Sequence, residues 1–377
     1  MADDDRIHAL PAIWRRLGNP VSRAALRSIT RKDDCGNRLE NAIRYYLGQD
    51  DGLCWRCRLA GRMVGRTLRS SSALFGVSED DIRNGLQEPI FRRGLQNVLE
   101  GIARYGVTMP QVVNAPFLVV WDFTHRCNLR CAHCYQDAQE ALPRELDTGE
   151  AKRLVEELAD AGVVILAFSG GEPLMRRDFF EVVAHARKND LYVALATNGT
   201  LLTRRMAAKV REAGIEYVEV SVDGKDAASH DAMRGIPGAF DRTIAGIKNC
   251  VAEGLYTCMA TTVTRSNYHE IPEIYGLASD LGVNRFMCFN FIPTGRGTEM
   301  IDRDISPEER RDLMRYLMDR TREGTGPEAL TTAPQVASMV VEGEQGVPVG
   351  HFYAGEEMEG RTRLLADFIG GCGAGRL

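Results

Sequence analysis

Three cysteines lie close together in one short segment of the 377-residue chain. Cys127, Cys131 and Cys134 follow a C-x3-C-x2-C spacing. Thiolates are the preferred ligands of iron–sulfur clusters, and three of them on one loop wrap a compact inorganic core. A four-iron cluster held in this way has one iron left for a ligand that the protein does not supply. The spacing therefore predicts a cluster with an open iron.

A zinc knuckle is the alternative for the same segment. Zinc takes four ligands in tetrahedral geometry, so His133 would have to act beside the three cysteines. His133 directly precedes Cys134, which places it badly for closing the same ion. We therefore favour the iron–sulfur cluster.

The composition gives these cysteines a cellular setting. The chain has ten cysteines, 44% hydrophobic residues and 26% charged residues. Its apolar runs are far shorter than the ~20 residues of a membrane-spanning helix, and its acidic start lacks the layout of a secretory signal. We expect a cytoplasmic protein without a membrane partner, whose reduced cysteines bind metals or catalyse rather than form disulfides.

A parallel sheet is expected to position this chemistry. Short β-branched runs alternate with amphipathic stretches of helical length, as in βαβ units. The predicted strands cover residues 117–121, 163–168, 192–196, 217–221, 257–263 and 285–291, and the predicted helices cover 148–161, 179–188, 201–213, 240–254 and 268–281. Six such units predict an α/β fold with a partial (β/α)6 barrel. Its active site should lie beyond the carboxyl ends of the strands.

Two further parts are expected around the barrel. Residues 1–115 predict a helical module, with apolar spacing near 3.6 over 41–47 and 91–105 and a break at the serines 70–72. The barrel then occupies 116–300, and 301–377 should form a helical segment and a short stub. Residues 1–115 hold 18 Lys or Arg and 13 Asp or Glu. This modest basic excess suits a solvated helical surface and gives little support for nucleic-acid binding.

The cysteine segment resembles the signature loop of the radical S-adenosylmethionine (radical SAM) superfamily. The resemblance covers residues 117–297 and starts from Cys127-x3-Cys131-x2-Cys134-Tyr135. In that family the open iron of a [4Fe–4S] cluster chelates S-adenosylmethionine (AdoMet). One electron then cleaves AdoMet to methionine and a 5′-deoxyadenosyl radical, which abstracts hydrogen from a substrate. The resemblance implies the same cofactors and chemistry here, with no catalytic residue beyond the cluster and the AdoMet site.

Later motifs resemble the family's AdoMet-binding turns. The segment Ser169-Gly-Gly-Glu-Pro173 follows the second predicted strand and is similar to the Gly-Gly-Glu-Pro motif, whose backbone and Glu hold the methionyl amine. A plain strand–helix turn is the alternative explanation for the glycines. Thr197-Asn198-Gly199 resembles the Thr-Asn-Gly turn that lines the AdoMet site. The resemblance implies AdoMet contacts from Gly170, Gly171, Glu172, Thr197 and Asn198.

Four more residues carry expected roles at the same site. Ser221-Val-Asp223-Gly224 resembles a turn whose Ser contacts AdoMet, while Asp223 either contacts AdoMet or serves the turn. The resemblance also implies that Arg234 pairs with the AdoMet carboxylate, which its planar guanidinium suits, and that Tyr135 lies against the adenine. Arg296, in a Pro/Gly turn, is either a surface residue or a ligand contact.

A second group of cysteines lies outside the family pattern. Cys35-x18-Cys54-x2-Cys57 predicts an additional metal or iron–sulfur site, with a fourth ligand from His8, Cys372 or an exogenous molecule. Incidental buried thiols and a redox pair are the other interpretations. For Cys250, Cys258 and Cys288 we expect core packing, with a position in the barrel lumen as the alternative for one of the last two.

The end of the chain bears on the substrate. Residues 370–376 resemble the opening of the cysteine-rich SPASM extension of peptide-modifying and tetrapyrrole-modifying radical SAM enzymes, and we expect the sequence to be truncated there. The expected partners are AdoMet, a peptide or protein side chain (with a tetrapyrrole second), and a low-potential electron donor of the ferredoxin or flavodoxin type. A non-catalytic iron–sulfur or zinc protein that regulates or assembles a partner is the alternative of another class.

Overall fold

A computed structural model describes residues 17–49, 51–75, 78–108 and 111–332. Cys372, His8 and the SPASM-like segment 370–376 lie outside the described residues. In the described part of the chain, no helix is long and apolar enough to cross a membrane.

The first part of the chain is mainly helical. Its helices are α1 (Pro20–Ile29), α2 (Arg38–Tyr46), α3 (Trp55–Phe75), α4 (Glu79–Gln87) and α5 (Pro89–Tyr105). A small antiparallel hairpin, β1 (Lys32–Asp33) and β2 (Gly36–Asn37), precedes α2. A buried cluster from α2, α3 and α4 forms the core of this helical module, and its members include Leu39, Ile43, Val64 and Leu86.

Seven parallel strands form the sheet that follows, and they lie in chain order. They are β3 (Leu118–Thr124), β4 (Ile165–Gly170), β5 (Tyr192–Thr197), β6 (Tyr217–Ser221), β7 (Thr257–Val263), β8 (Arg285–Asn290) and β9 (Glu328–Thr331). Strands β3 and β9 lie at opposite edges, so the sheet is an open, partial barrel rather than a closed one. The predicted α/β fold with a partial barrel is confirmed, with one strand more than predicted.

Helices connect the strands. They are α6 (Thr148–Ala161), α7 (Phe179–Lys188), α8 (Arg204–Glu212), α9 (Ala227–Arg234), α10 (Ala239–Ala252), α11 (Ile271–Asp280) and α12 (Pro307–Glu323). Local sequence sets their ends. Helix α6, for example, starts with a capping box between Asp147 and Glu150 and ends at Gly162 in the left-handed conformation.

The strands alternate between two apolar faces. Side chains such as Leu166, Phe168 and Val193 pack outward against the helices in the main core. Their neighbours along the chain, such as Ala167 and Ala194, form a second cluster on the inner face. This period of two is what buried parallel strands with both faces covered require.

Helix α5 fastens the helical module to the barrel. The Arg93 guanidinium donates to the carbonyl oxygens of Val163 (3.0 Å from Nε) and Ala159 (2.6 Å from Nη2). The Asn97 amide donates to the carbonyls of Ala115 and Gly162. These bonds all reach the segments just before β3 and β4, so the module covers the amino-terminal end of the barrel, opposite the predicted site.

Three predictions about secondary structure were wrong. Helix α3 runs through the serines at 70–72, because serine costs well under ~1 kcal/mol in a helix. The β1–β2 hairpin interrupts the part expected to be helical. Strand β9 lies in the segment 301–377, which was expected to be helical; it is only four residues long and carries no β-branched run that would reveal it.

Candidate functional site

The segment 125–139, here called the cysteine loop, follows β3 directly. Its two ends meet, because the Cys127 N–H donates to the Gln139 carbonyl at 3.1 Å. Within it the Cys134 N–H donates to the Cys131 carbonyl at 3.3 Å. The loop is therefore closed on itself, and it carries the three cysteines at the carboxyl ends of the strands.

The three sulfurs lie in an environment that suits a multi-iron cluster. Cys131 is buried, and Cys127 and Cys134 are half-buried. In the described part of the chain these three sulfurs do not form a group within 4.8 Å of one another, the spacing that a single ion requires. Three soft thiolates, spread more widely than one ion needs, fit a cluster of several irons.

Hydrogen bonds already reach each sulfur from the protein. The backbone N–H groups of Leu129 and Ala138 lie 3.4 Å from the sulfurs of Cys127 and Cys134. The Arg234 Nη1 atom donates to the Cys131 sulfur at 3.6 Å. Burial raises the pKa of Cys127 to about 11 and also raises that of Cys131. A bound iron would hold such thiols in the thiolate form despite this burial.

His133 is buried beside Asp223. Its Nε2 atom lies 3.3 Å from an Asp223 carboxylate oxygen. Burial lowers the pKa of His133 to about 4, so the ring is neutral at pH 7. Among the described residues, His133 does not join the cysteine sulfurs in a group within 4.8 Å, so it gives the zinc-knuckle alternative no support.

The two glycines after β4 make room for the cysteine loop itself. The Gly171 N–H donates to the Thr124 carbonyl at 2.7 Å, and the Glu172 N–H donates to the Arg126 carbonyl at 2.8 Å. A Cβ at Gly170 would lie 2.5 Å from the Thr124 oxygen, and one at Gly171 would lie 2.3 Å from the Arg126 oxygen. Gly170 also has φ 113°, which favours glycine. The two glycines therefore allow two backbones of this chain to approach closely, and their AdoMet contacts stay predictions.

Glu172 joins the ends of β4 and β5. Its carboxylate is fully buried and accepts hydrogen bonds from the Thr197 hydroxyl (2.9 Å) and the Asn198 N–H (2.9 Å), as well as from the Leu174 N–H (3.2 Å). Burial raises the pKa of Glu172 to about 7, although these bonds oppose the shift. The side chain predicted to hold the AdoMet amine thus already holds the Thr197–Asn198 turn.

Asn128, which the sequence did not single out, ties the cysteine loop to β5. Its carbonyl oxygen accepts from the Asn198 amide at 2.8 Å, and its own amide donates to the Thr200 hydroxyl at 2.8 Å. Asn198 is buried and also accepts from the Thr200 N–H at 3.0 Å. The Thr-Asn-Gly-Thr turn therefore positions the loop that carries the cysteines.

Asp223 and Arg234 form a buried ion pair beneath the cysteine loop. The Arg234 Nε atom lies 2.7 Å from an Asp223 carboxylate oxygen. The other carboxylate oxygen accepts from the Thr262 N–H at 2.9 Å. Burial raises the pKa of Asp223, but Arg234, His133 and His230 outweigh it and hold the pKa below its ordinary value. Asp223 is therefore ionised and serves as the partner of Arg234.

This ion pair adds contacts that the sequence did not predict. The Arg234 guanidinium contacts Asp223 and the Cys131 sulfur, and its pairing with the AdoMet carboxylate stays a prediction. For Asp223, the turn role and the AdoMet contact also stay predictions beside the ion pair. Arg234 and Asp223 are both buried, and a buried charge is costly without a partner of opposite charge. Each of the two therefore serves as the partner of the other.

Arg296 also serves the cysteine loop. Its Nε donates to the Cys131 carbonyl at 2.9 Å, and its Nη1 reaches an Asp137 carboxylate oxygen at 2.5 Å. Gly295 lies so close that a Cβ there would be 2.5 Å from the carbonyl oxygens of Cys134 and Tyr135. The sequence did not predict these contacts of Arg296 with the cysteine loop, and a ligand contact of the same side chain stays a prediction.

Glu145 is another residue that sequence reasoning missed. Its carboxylate accepts from the His125 N–H at 2.7 Å and from the Thr124 hydroxyl at 3.0 Å, so it fixes the start of the cysteine loop. A single acidic residue in a loop carries no local signal of such a role. The role becomes visible only in the structure, where the chain returns toward the end of β3.

Tyr135 and Ser221 are the predicted AdoMet contacts that remain more accessible. Tyr135 is 54% exposed, and its hydroxyl donates to an Asp122 carboxylate oxygen at 3.5 Å. Ser221 is half-buried at the carboxyl end of β6, on the inner-face side of the strand. Both side chains lie at the edge of the sheet where the cysteine loop sits.

The other cysteines fall into two sets. Cys250, Cys258 and Cys288 are completely buried: Cys250 and Cys288 lie in the outer core, whereas Cys258 lies on the inner face of the barrel. Cys35, Cys54 and Cys57 come together in the helical module, with sulfurs within 4.8 Å of one another. The structure thus unites the three cysteines of the predicted additional site.

Comparison with known proteins identifies the family. The model of the radical SAM superfamily matches residues 121–278, which include the cysteine loop and strands β4 to β7. The chain belongs to the radical SAM superfamily. Members of this family use a [4Fe–4S] cluster and AdoMet, which confirms these two predicted cofactors.

Several curated relatives are enzymes of tetrapyrrole metabolism by name. The chain is 40% identical over 207 residues to the Fe-coproporphyrin III synthase of Methanosarcina barkeri, a match covering 55% of this chain and 52% of the relative. It is 35% identical over 258 residues to the AdoMet-dependent heme synthase of Oleidesulfovibrio alaskensis, covering 68% and 66%. Another relative, the mycofactocin maturase MftC of Mycolicibacterium smegmatis, is 34% identical over 209 residues, covering 55% and 53%. The matches thus span about half to two thirds of the relatives' lengths.

A solved structure shows the same fold. SuiB of Streptococcus suis, in a crystal structure with the precursor peptide SuiA, superposes with a TM-score of 0.57 at 16% sequence identity. The match covers 78% of this chain and 65% of SuiB. At this level of identity the likeness concerns the fold alone.

Proposed function

We propose that this radical SAM chain cleaves AdoMet reductively and uses the resulting radical on a substrate held at the mouth of the barrel. The observation that carries the proposal is the placement of the cysteine loop. Three cysteine sulfurs lie at the carboxyl edge of a parallel sheet, where α/β enzymes bind their ligands. Side chains from the segments that follow β5, β6 and β8 contact that loop.

In this proposal Cys127, Cys131 and Cys134 hold three irons of a [4Fe–4S] cluster. When bound, the cluster would supply the one-electron reduction that cleaves AdoMet and so starts hydrogen abstraction from the substrate. The Arg234 guanidinium, 3.6 Å from the Cys131 sulfur, offsets part of the negative charge of the thiolates. Its own charge is balanced by Asp223, so the pair stabilises the site without an uncompensated buried ion.

We propose that the AdoMet site surrounds the cysteine loop. It would include the main chain of Gly170, Gly171 and Glu172, the Thr197–Asn198 turn, Ser221 and the exposed ring of Tyr135. In this proposal Asp223 and Arg234 lie behind the AdoMet site and act as positioning residues that hold Cys131 and His133 in place. The inner face of the barrel, lined by apolar side chains such as Ala167 and Ala194, would keep water from the radical.

We propose a tetrapyrrole as the substrate class. The support is the identity of 35–40% to relatives named as heme or coproporphyrin synthases, compared with 32–34% to mycofactocin maturases. A peptide side chain, which the sequence favoured first, is the second candidate. It is supported by the 34% identity to a maturase and by the SPASM-like residues 370–376. A ferredoxin or flavodoxin would supply the electron in either case.

The experiment uses the full chain, reconstituted anaerobically with iron and sulfide and reduced with dithionite. With AdoMet added, we expect 5′-deoxyadenosine to accumulate over time, measured by liquid chromatography and mass spectrometry. Iron coproporphyrin III should raise that rate if a tetrapyrrole is the substrate. Cys131→Ala should abolish the product, whereas Cys250→Ala, which removes a core thiol far from the loop, should keep it.

The outcomes separate the two levels of the proposal. Product from wild type without any response to the porphyrin would reject the tetrapyrrole but keep the AdoMet chemistry. Absence of product from wild type that holds its full iron complement would favour a non-catalytic iron–sulfur protein and overturn the proposal. Equal product from wild type and Cys131→Ala would refute the assignment of the cysteine loop.

A further inference from the structure

A second site lies in the helical module, outside the radical SAM domain. Cys35 occupies the turn of the β1–β2 hairpin, and Cys54 and Cys57 lie at the start of α3. The three sulfurs all lie within 4.8 Å of one another, and those of Cys54 and Cys57 are 3.5 Å apart. Eighteen residues separate Cys35 from Cys54, so the fold brings these thiols together.

The spacing of the sulfurs fits a single tetrahedral ion. With Zn–S bonds of about 2.3 Å, tetrahedral geometry places neighbouring sulfurs about 3.8 Å apart. The observed separation of Cys54 and Cys57 is close to this value, and it is far longer than the ~2.05 Å of a disulfide bond. An iron–sulfur cluster is larger than one ion and would hold its thiolates farther apart, as in the cysteine loop.

The surroundings of the three cysteines also resemble a metal site. The Asn41 side chain donates to the Cys35 carbonyl at 2.7 Å and lies 3.6 Å from the Cys57 sulfur, so α2 holds the hairpin and α3 together from behind. Such support around the ligands is typical of metal centres. Cys57 is buried, whereas Cys35 is exposed, which leaves one side of the group open to solvent.

A metal ion at this site would stabilise the β1–β2 hairpin. Strands β1 and β2 pair over only two residues each, and a two-stranded hairpin is at best marginally stable in water. A metal ion shared between its turn and the start of α3 would fix it in place. Metal binding would then add directly to the folding free energy of the module.

We propose that Cys35, Cys54 and Cys57 bind one Zn²⁺ ion that joins the β1–β2 hairpin to helix α3. Zn²⁺ accepts thiolates readily, has no redox chemistry and takes the required tetrahedral geometry. The described part of the chain adds no fourth Cys, His, Asp or Glu to the group. We assign the fourth position to an exogenous donor such as water, because the exposed Cys35 leaves that side of the group open to solvent. The site is independent of the AdoMet chemistry.

The test measures metals in the full chain purified without added iron. Plasma mass spectrometry should find about one zinc per chain, and X-ray absorption should find three sulfurs at about 2.3 Å and one lighter donor. Cys54→Ser should lose the zinc and lower the melting temperature. Cys131→Ala should keep the zinc, and Cys250→Ala, a matched core-thiol control, should keep both the zinc and the iron taken up on reconstitution.

A second variant covers the case in which Cys54→Ser fails to fold. Cys35→Ser changes an exposed residue in a turn, and we expect it to fold and to release zinc to a chromogenic chelator at least about tenfold more readily than wild type. Wild-type protein without zinc would overturn the proposal, as would a Cys54–Cys57 disulfide found by alkylation. Iron at this site that survives Cys131→Ala would also overturn it and assign an iron–sulfur cluster instead.

Discussion

Asp223, Arg234 and His230 form a buried group of ionisable side chains behind the cysteine loop. His230 is completely buried, and its Nδ1 accepts from the Asp223 N–H at 3.2 Å. Burial, together with the nearby Arg234 cation, lowers the pKa of His230 to about 4. The ring is therefore neutral at pH 7, and its role as an acceptor depends on staying so. At the scale of single residues, the cysteine loop depends on the protonation states of the ionisable side chains packed behind it.

Mild acid should reveal this dependence. The folded-state pKa of His230 lies below its ordinary value of 6.5, so the unfolded chain binds more protons between pH 6.5 and about 4. The free energy of unfolding should therefore fall as the pH drops through this window. His230 should account for roughly 2–3 kcal/mol of that loss. In His230→Asn, whose side-chain oxygen still accepts but does not titrate, urea unfolding at pH 7 and pH 4.5 should show a loss smaller by about that amount. An identical loss in both proteins would contradict the role of His230.

At the scale of elements, the cysteine loop depends on its neighbours more than on its own sequence. Its cysteines were predicted from their spacing, and five of the six predicted strands carry motif residues at their ends as expected. Asn128 and Glu145 were not singled out, and the contacts of Arg296 with the loop were not predicted, because each acts through hydrogen bonds to residues that are distant in the chain. Local patterns report periodicity and turns, but they do not report which polar side chains will meet.

Gly171 tests the packing of the loop against β4. In Gly171→Ala the new Cβ would lie 2.3 Å from the Arg126 carbonyl oxygen, so the backbone that leads to Cys127 must move. We expect a stability loss of about 1–3 kcal/mol and fewer irons per chain after reconstitution. Iron content and urea unfolding measure the two effects.

Gly276→Ala is the matched control for that change. Gly276 lies in α11, and a Cβ there meets nothing within 4 Å. This variant should keep its iron and gain about 0.5–1 kcal/mol, since alanine favours helices over glycine. If Gly171→Ala behaved like Gly276→Ala, the close packing between the β4 turn and the cysteine loop would be refuted.

At the scale of the whole molecule, the chain places two groups of three cysteines in two different structural settings. One lies at the carboxyl edge of the barrel, and the other lies in the helical module that covers the amino-terminal end. The cysteine counts and spacings predicted both groups from the sequence. Their difference in spacing, wider in the cysteine loop and tighter around Cys54, became visible only in three dimensions. That difference is why we assign iron and sulfide to one group and a single zinc ion to the other.

The central claim is that the cysteine loop holds a cluster open to AdoMet, and electron paramagnetic resonance tests it most directly. The reconstituted, dithionite-reduced chain should show the signal of one [4Fe–4S] cluster, and adding AdoMet should change that signal. Cys54→Ser should behave like wild type, whereas Cys131→Ala should lack the signal. A wild-type signal that AdoMet leaves unchanged, or one that persists in Cys131→Ala, would contradict the account.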